Sequence, residues 1–372
     1  MRTAGDWGTL ESRMDVLTAR FLATPQDSPM PYAGLLDKVR MQALASNSGG
    51  KRLRALLALD AYDAAADSLG HGQSASAPSA ATPPATHNRE AMLDLACALE
   101  IYQTSALIHD DIIDDSDLRR GAPSAHKALE FGGDERLGGG LALMLGNLLA
   151  TASVRIADAA LAQLHSPGTG AQVFLDMQRA VSIGQVLDLS AETIPLDDPQ
   201  RLAQASLEVF RWKTASYTAI APLELGFLAA GLDPAGAHES ALQIGEPLGI
   251  SFQLADDLID VDANGHSSGK PLGGDIREGK HTVLLADALQ RADAQQRERL
   301  LAIYGASTRS GSDVAEVIRL FASTGAVAQS RRRISALLRK SSAAIEKNTL
   351  LSRAAKTLVR SACARMMPAY DA

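Results

Sequence analysis

Asp110-Asp111-Ile112-Ile113-Asp114 and Asp256-Asp257-Leu258-Ile259-Asp260 are two acidic pentads, DDIID and DDLID. On a helix, residues i and i+4 share a face, so Asp110 and Asp114 can address one cation, as can Asp256 and Asp260. Like charges stacked in this way repel, and a lone carboxylate run is usually a solvated face. Here Ala106-Leu107-Ile108 precedes the first pentad and Phe252-Gln253-Leu254-Ala255 the second, so each cluster emerges from a helix that is otherwise core. Half-buried carboxylates need cations. All-oxygen ligation by Asp suits Mg²⁺, which keeps several waters and shares its remaining positions with phosphate oxygens. Asp260-Val-Asp262-Ala-Asn264-Gly265 also matches the opening of a calcium EF-hand loop, but its twelfth position is Pro271 instead of a bidentate Glu. Asn264-Gly265 therefore reads as turn chemistry after a helix end.

Two metal clusters make half of a phosphate site, and the other half should be cationic. Gly49-Gly50-Lys51-Arg52-Leu53-Arg54 sets two glycines before a helix start, with Lys51 and Arg54 three apart on one face. Arg119-Arg120-Gly121 follows the first pentad; Gly269-Lys270-Pro271 and the stretch from Asp275 to Lys280 follow the second. A basic pair alone is commonplace surface. Beside acidic pentads these pairs read as phosphate ligands, because Arg forks and Lys point charges bind phosphate oxygens well. No H-E-x-x-H helix, phosphate-binding P-loop or dinucleotide fingerprint is present. His109, beside Asp110, reads as a polar group at a cavity rim more readily than as a base. Chemistry then falls to metal-assisted departure of a phosphate group.

The elements that must position these residues read as helices. Leu95, Leu99, Tyr102 and Ala106 recur at three- and four-residue spacing, alanine is abundant, and alternating β-branched runs are scarce. The expectation is an all-α chain forming one domain over residues 1–372, with a Ser/Ala/Pro-rich insertion loop at 67–89 and further breaks near 166–170, 193–199, 262–275 and 307–313. With 46% hydrophobic residues the chain can bury a large core, and a net charge of −7 argues against binding nucleic acid through bulk phosphate neutralisation. Two cysteines, Cys97 and Cys363, fit a reducing compartment. The first residues carry no secretory signal, and Leu137–Val154, uncharged but rich in glycine, reads as a buried helix instead of a transmembrane segment. A cytoplasmic location is expected.

In order along the chain, GGKRLR (49–54), LIHDDIIDDSDLRRG (107–121), GQVLDL (184–189), KT (213–214), FQLADDLID (252–260) and GKPLGGDIREGK (269–280) resemble the motifs of the trans-isoprenyl diphosphate synthases, the polyprenyl synthetases. The resemblance spans roughly residues 35–365. It implies the all-α isoprenoid synthase bundle, usually a homodimer, with the pentads facing each other across a deep central cavity. It further implies that Asp110, Asp114 and Asp256 bind three Mg²⁺, with Mn²⁺ as the alternative ion, supported by Asp111, Asp257 and Asp260. Arg119, Lys213, Lys270 and Lys280 would hold an allylic diphosphate. Lys51, Arg54, Gln103 and Arg120 would hold isopentenyl diphosphate. Thr214 and Gln253 would turn oxygens toward a developing cation, and Phe252 would cover the second substrate. The implied reaction is an alkylation: diphosphate departs, the double bond of isopentenyl diphosphate attacks the allylic cation, and the departed diphosphate takes the proton. Gln103 stands where many bacterial members carry His, and Asn147 replaces Asp in a Gly-Asp pair; both departures leave the reading intact.

The resemblance also places the growing chain beside the first pentad's helix. Ser105 and Ala106 are small and let it pass, whereas Tyr102, on the Ala106 face, could stop it at twenty carbons. Geranylgeranyl diphosphate is the expected product, with longer polyprenyl diphosphates next. A class I terpene cyclase fits less well, because its second acidic motif normally reads N-D-x-x-S-x-x-x-E. A non-catalytic partner subunit would tend to lose acidic or basic residues that are all present here. The basic stretch Ser330–Lys340 reads as a solvated helix face, with contact to an anionic membrane as the alternative.

Overall fold

Apolar residues at helical spacing and a near absence of strand patterning give described residues that are predominantly helical, as expected. The computed structural model describes residues 4–23, 33–72, 88–261 and 272–367. It groups them into two compact units, 1–175 with 225–234, and 176–224 with 235–372.

The first unit contains α1 (Ala4–Phe21), α2 (Ala33–Asn47), α3 (Leu53–Gly72) and α4 (Arg89–Ile113). A two-stranded ribbon follows, β1 (Leu118–Arg119) and β2 (Ala122–Pro123), then α5 (Ala125–Ala128), α6 (Glu135–Leu161) and the start of α7 (Pro167–Ala191). The long helix α4 is its axis. Asn88 caps it by accepting from the Ala91 amide at 3.1 Å, and Met92, Leu95, Leu99 and Tyr102 are buried along its length. It packs against α1, α3 and most extensively α6. Arg13 of α1 reaches Asp94 at 2.5 Å and also pairs with Glu90, fixing α1 along α4. The expected loop begins later than residue 67: α3 continues to Gly72, its alanine-rich last turns still half-buried, and residues 73–87 lie outside the described set.

Both α4 and α6 are long and apolar enough, by composition, to cross a membrane. Most of α4 is buried. The expectation of a fully buried helix around Leu137–Val154 fails for α6, which buries Leu145, Leu149 and Ala152 yet leaves Leu137, Leu143, Met144 and Leu148 exposed on its other face.

The second unit holds the rest of α7 and α8 (Pro199–Val209), which runs into a π-helical segment, Phe210–Ile220, and on into the start of α9 (Ala221–Ala230), whose residues from Leu225 onward belong to the first unit. Next come α10 (Pro234–Val261), α11 (Gly274–Glu278), α12 (Val283–Arg291), α13 (Ala294–Tyr304), α14 (Gly311–Ser323), α15 (Ala326–Lys347) and α16 (Arg353–Met366). Its core is built from Leu254, Leu258, Val283, Leu285, Leu289, Leu300, Val317 and Phe321, none more than 3% exposed. Reciprocal capping boxes, Asp293 with Gln296 and Ser310 with Asp313, start α13 and α14.

Candidate active site

In the first unit the GGKRLR turn is held by two arginines. Gly49 and Gly50 have φ of 69° and 96°, conformations that favour glycine. Arg52, fully buried with φ 52°, bonds the Asn47 carbonyl and Glu11 at 3.1 Å. Glu100 of α4 accepts the Ala55 amide at 3.1 Å, tying down the first turn of α3 and so the position of Arg54. Arg120 comes from the ribbon, whose two-residue turn has positive φ at both Arg120 (54°) and Gly121 (79°), the geometry of a type I′ hairpin. Its guanidinium donates to the Ser48 and Gly49 carbonyls at 2.7 and 2.9 Å and lies where a Cβ on Gly50 would stand, 2.8 Å from Nη2. Burial makes Arg120 less basic than usual, and Arg52, Arg119 and Arg54 push the same way against Glu100. Cations crowded to this degree form a ready anion site.

The first pentad closes α4. Asp114 is its C-cap, with its amide on the Asp110 carbonyl at 2.9 Å. A helix C-terminus already carries negative partial charge, so carboxylates there call for a cation, which a merely solvated acidic face does not explain. Asp111 is buried, and Arg119 grips it in a bidentate pair with Nε at 2.9 and 3.1 Å. Burial opposes the Arg119 charge, but Asp111, Asp110 and Asp114 outweigh it and raise its basicity. Asp111 thus positions Arg119. Ser105 is buried with its hydroxyl on the Gly146 carbonyl at 2.8 Å, and the His109 ring fills the space a Cβ on Gly146 would take, 2.2 Å from Nε2. Both residues therefore belong to the α4–α6 packing. Tyr102 is buried, Gln103 and Ala106 are half-buried, and Lys51 is exposed.

In the second unit the Lys213-Thr214 pair sits on the π-helical segment, a wide-turned form that often marks functional sites. Two glycines bring neighbouring helices against it. A Cβ on Gly184 of α7 would lie 2.3 Å from the Lys213 nitrogen, and one on Gly249 of α10 would lie 2.4 Å from the Ala215 Cα. One turn beyond each glycine comes the residue that grips the pair: Asp188 receives Lys213 Nζ at 2.7 Å, and Gln253 Oε1 receives the Thr214 hydroxyl at 2.9 Å. Gln253 Nε2 then donates to Asp257 Oδ1 at 3.0 Å. Phe252 is half-buried beside it.

The second pentad ends α10 as the first ends α4. Asp256 is exposed and Asp257 buried, with its Oδ2 making no hydrogen bond. Asp260 accepts the Gly274 and Asp275 amides at 3.0 and 3.1 Å, holding the start of α11 against the pentad. This brings in Asp275, a member of the site that sequence spacing did not single out. Burial, then Asp275, Asp256 and Asp260, push the Asp257 carboxyl well above the usual range, against the Gln253 bond. Asp275 is pushed up to about 7, by burial and by Asp260, Glu278 and Asp256, with Lys280 opposing. Lys280 pairs with Glu278 at 2.9 Å and lies 4.0 Å from Asp275. Arg309 also escaped the sequence reading: it donates to the Tyr304 carbonyl at 2.9 Å and lies where a Cβ on Gly279 would be, 2.4 Å from Nη2, bracing the turn before Lys280. Lys270 lies outside the described residues.

These carboxylates suit a hard divalent cation in donor type, in excess negative charge and in the orphaned Asp257 oxygen. Among the described residues no three acidic, His or Cys side chains already surround one metal position. An ion that takes one or two carboxylates and completes its shell with water and phosphate needs no such cage.

Two acidic helix ends, crowded arginines and a lysine-threonine pair are thus set on a helical framework. The sequence profile of the polyprenyl synthetase family matches residues 38–321. The short chain isoprenyl diphosphate synthase of Methanothermobacter thermautotrophicus is 34% identical over 239 residues, covering 62% of this chain and 66% of that protein, just under two thirds of its length. The octaprenyl diphosphate synthase of Haemophilus influenzae is 31% identical, covering 73% and 69%. Among solved structures, the geranylgeranyl pyrophosphate synthase of Corynebacterium glutamicum, complexed with isoprenyl diphosphate and magnesium, is similar with a TM-score of 0.78 and 31% identity, covering 96% of this chain and 98% of that one. The chain belongs to the polyprenyl synthetase family.

Proposed function

We propose that the protein condenses isopentenyl diphosphate with an allylic diphosphate, dimethylallyl, geranyl or farnesyl, to give a trans-prenyl diphosphate, with geranylgeranyl diphosphate as the main product. The observation that carries this reading is the opposite electrostatic imbalance of two clusters: arginines crowded around Arg120 need an anion, and carboxylates crowded around Asp257 need a cation. In this reading the diphosphate of isopentenyl diphosphate answers the first, and Mg²⁺ accompanying the allylic diphosphate answers the second.

In this reading Asp110, Asp114 and Asp256 hold Mg²⁺, with Asp111, Asp257 and Asp260 in support. Bound there, the metal would neutralise charge building on the leaving diphosphate. Lys51, Arg54, Gln103 and Arg120 bind the diphosphate of isopentenyl diphosphate. Arg119, Lys213, Lys270 and Lys280 bind the allylic one. Thr214 Oγ1 and Gln253 Oε1, held 2.9 Å apart, turn oxygen toward cationic carbon. Phe252 shields the reacting double bond from water. The small Ala106 lets a chain grow beyond fifteen carbons, and Tyr102 limits it near twenty.

The active form in this reading is a homodimer. The exposed Leu137, Leu143, Met144 and Leu148 make an apolar stripe on one face of α6, which a second copy would cover. Light scattering should give twice the chain mass for the wild type and the single chain mass for Met144→Glu.

The deciding experiment incubates purified protein with Mg²⁺, isopentenyl diphosphate and each allylic starter, and identifies products by mass spectrometry. Geranylgeranyl diphosphate is expected. Octaprenyl or longer products would overturn the chain-length assignment, and no turnover with any starter would favour a non-catalytic partner subunit.

A further inference from the structure

Residues 326–366, which form α15 and α16, contain ten arginines and lysines and one acidic residue, Glu346. A chain of net charge −7 thus concentrates +9 on two helices and leaves −16 elsewhere. The helical pattern sorts these charges to one side. Ser330, Ile334, Ser341 and Ile345 of α15 are buried, while Arg332, Arg339, Lys340 and Lys347 fall on the opposite, exposed arc. On α16, Ala355, Val359, Ala362 and Met366 face inward, and Arg353 and Arg360 face out. Glu346 answers one of these cations. Its carboxylate pairs with Arg360 and its carbonyl accepts Lys356 Nζ at 2.8 Å, so the single acid ties the two helices together.

Cations of one sign held on one face repel and cost stability unless a polyanion answers them. None of the residues proposed for prenyl transfer lies within this stretch, so the reaction does not account for it. We infer that the exposed face of α15 and α16 docks the protein on an anionic lipid bilayer. The inference rests on the proposed function in one respect: a prenyl diphosphate carries a long hydrocarbon tail that partitions into a bilayer, so an enzyme making it gains from lying on one. Nucleic acid is the competing polyanion, but residues 326–366 contain no Phe, Tyr or Trp on which a base could stack, and the negative remainder of the chain would repel a long phosphate backbone. The same charge asymmetry orients the protein on a membrane, basic face down.

The test is co-sedimentation of the full chain with vesicles of phosphatidylcholine alone or with about 30% phosphatidylglycerol, at low and high salt, beside a triple variant, Arg339→Gln, Lys340→Gln and Arg353→Gln. Each basic residue at an anionic surface is worth about five-fold in affinity, so the triple variant should bind the anionic vesicles roughly 100-fold more weakly. Wild-type binding should need phosphatidylglycerol and fade at high salt. Failure of the wild type to pellet with anionic vesicles at low salt would overturn the inference. So would equal binding to neutral vesicles, equal binding by the triple variant, or capture by duplex or single-stranded nucleic acid in place of the vesicles. Melting followed by circular dichroism checks that the variant folds. Turnover on soluble substrates without vesicles, measured for both proteins, should be unchanged; its loss in the wild type would count against the catalytic reading and leave the vesicle result to stand alone.

Discussion

The Thr214 hydroxyl donates to Gln253 at 2.9 Å, and the same Gln253 amide donates onward to Asp257 at 3.0 Å. One side chain therefore fixes the oxygen offered by the lysine-threonine pair and satisfies half of a buried carboxylate. Replacing Gln253 with Leu removes both bonds, so the Thr214 hydroxyl loses this acceptor and Asp257 Oδ1 loses this donor. We expect kcat to fall by about 10²-fold, with a smaller change in KM, as for other preorganised polar groups that act on developing charge. Gln253→Glu should do worse at neutral pH, because it adds a negative charge beside Asp257. Steady-state kinetics on farnesyl diphosphate check both; wild-type kcat in Gln253→Leu would remove Gln253 from the chemistry.

Gly184 and Gly249 should tolerate no side chain. An added Cβ would stand 2.3 Å from the Lys213 backbone in one case and 2.4 Å from the Ala215 Cα in the other. Overpacking of this kind costs about 1–3 kcal/mol. Gly184→Ala and Gly249→Ala should each lower Tm by several degrees and pull Asp188 or Gln253 off its partner, so activity falls even at temperatures where the variants remain folded. Gly168→Ala is the control, because a Cβ there meets nothing within 4 Å. Equal melting of all three variants would contradict the close-approach account.

Asp275 links the second pentad to pH. Its carboxyl ordinarily titrates at 3.8 and is raised to about 7 in the folded protein. The folded state therefore keeps a proton that the unfolded state has already released. Between those two values stability must fall as pH rises, on the order of 1 kcal/mol per pH unit for one such group. Metal-free protein should melt at lower temperature at pH 8 than at pH 5.5, and Asp275→Asn should flatten the difference. Mg²⁺ with inorganic diphosphate, by compensating the carboxylates, should raise Tm more at pH 8. A thermal series in which wild type and Asp275→Asn show the same pH slope would sink the assignment.

Ala106 is the cleaner probe of chain length. Ser105 is committed to the α4–α6 contact through Gly146, so a large residue there would disturb packing as well as any chain beside it. Ala106, one residue on, is only half-buried. Ala106→Phe should move the main product toward fifteen carbons, and Tyr102→Ala should lengthen it. Product profiles identical to wild type in both variants would show that neither residue borders the growing chain.

Much of the site was legible in the sequence because its chemistry is carried by residue type at short range. Asp110 with Asp114 and Asp256 with Asp260 declare a shared helix end by spacing alone, whereas the expected shared face of Lys51 and Arg54 fails, because α3 starts only at Leu53 and the left-handed Arg52 turns the chain between them. The remainder depends on distances between segments far apart in the chain. Nothing local to Gly184 or Gly249 marks them as points of close approach, because that property belongs to the partner segment around Lys213 and Ala215. Asp275 looked like part of a basic loop until Asp260 capped the helix that carries it. The π-helical segment escaped because apolar spacing over a few wide turns is too close to the α-helical pattern to separate. The outward face of α6 escaped for a different reason: leucines and methionine do not say whether their cover is the same chain.

The π-helical segment has one more consequence. It meets Gly184 at Lys213, Gly249 at Ala215 and Gly245 at Ile220, three close approaches spread over eight residues. Each contact fixes the rotational phase of the backbone at its own position, so the number of residues between them is constrained as tightly as their identity. Deleting one residue between Lys213 and Ile220 would let the wide turns close and rotate everything beyond the deletion by about 100° relative to Lys213. A substitution at the exposed Trp212 leaves that phase untouched. Length, in this stretch, is itself a structural constraint, and a single-residue insertion or deletion should be far more damaging here than in the α-helices that flank it.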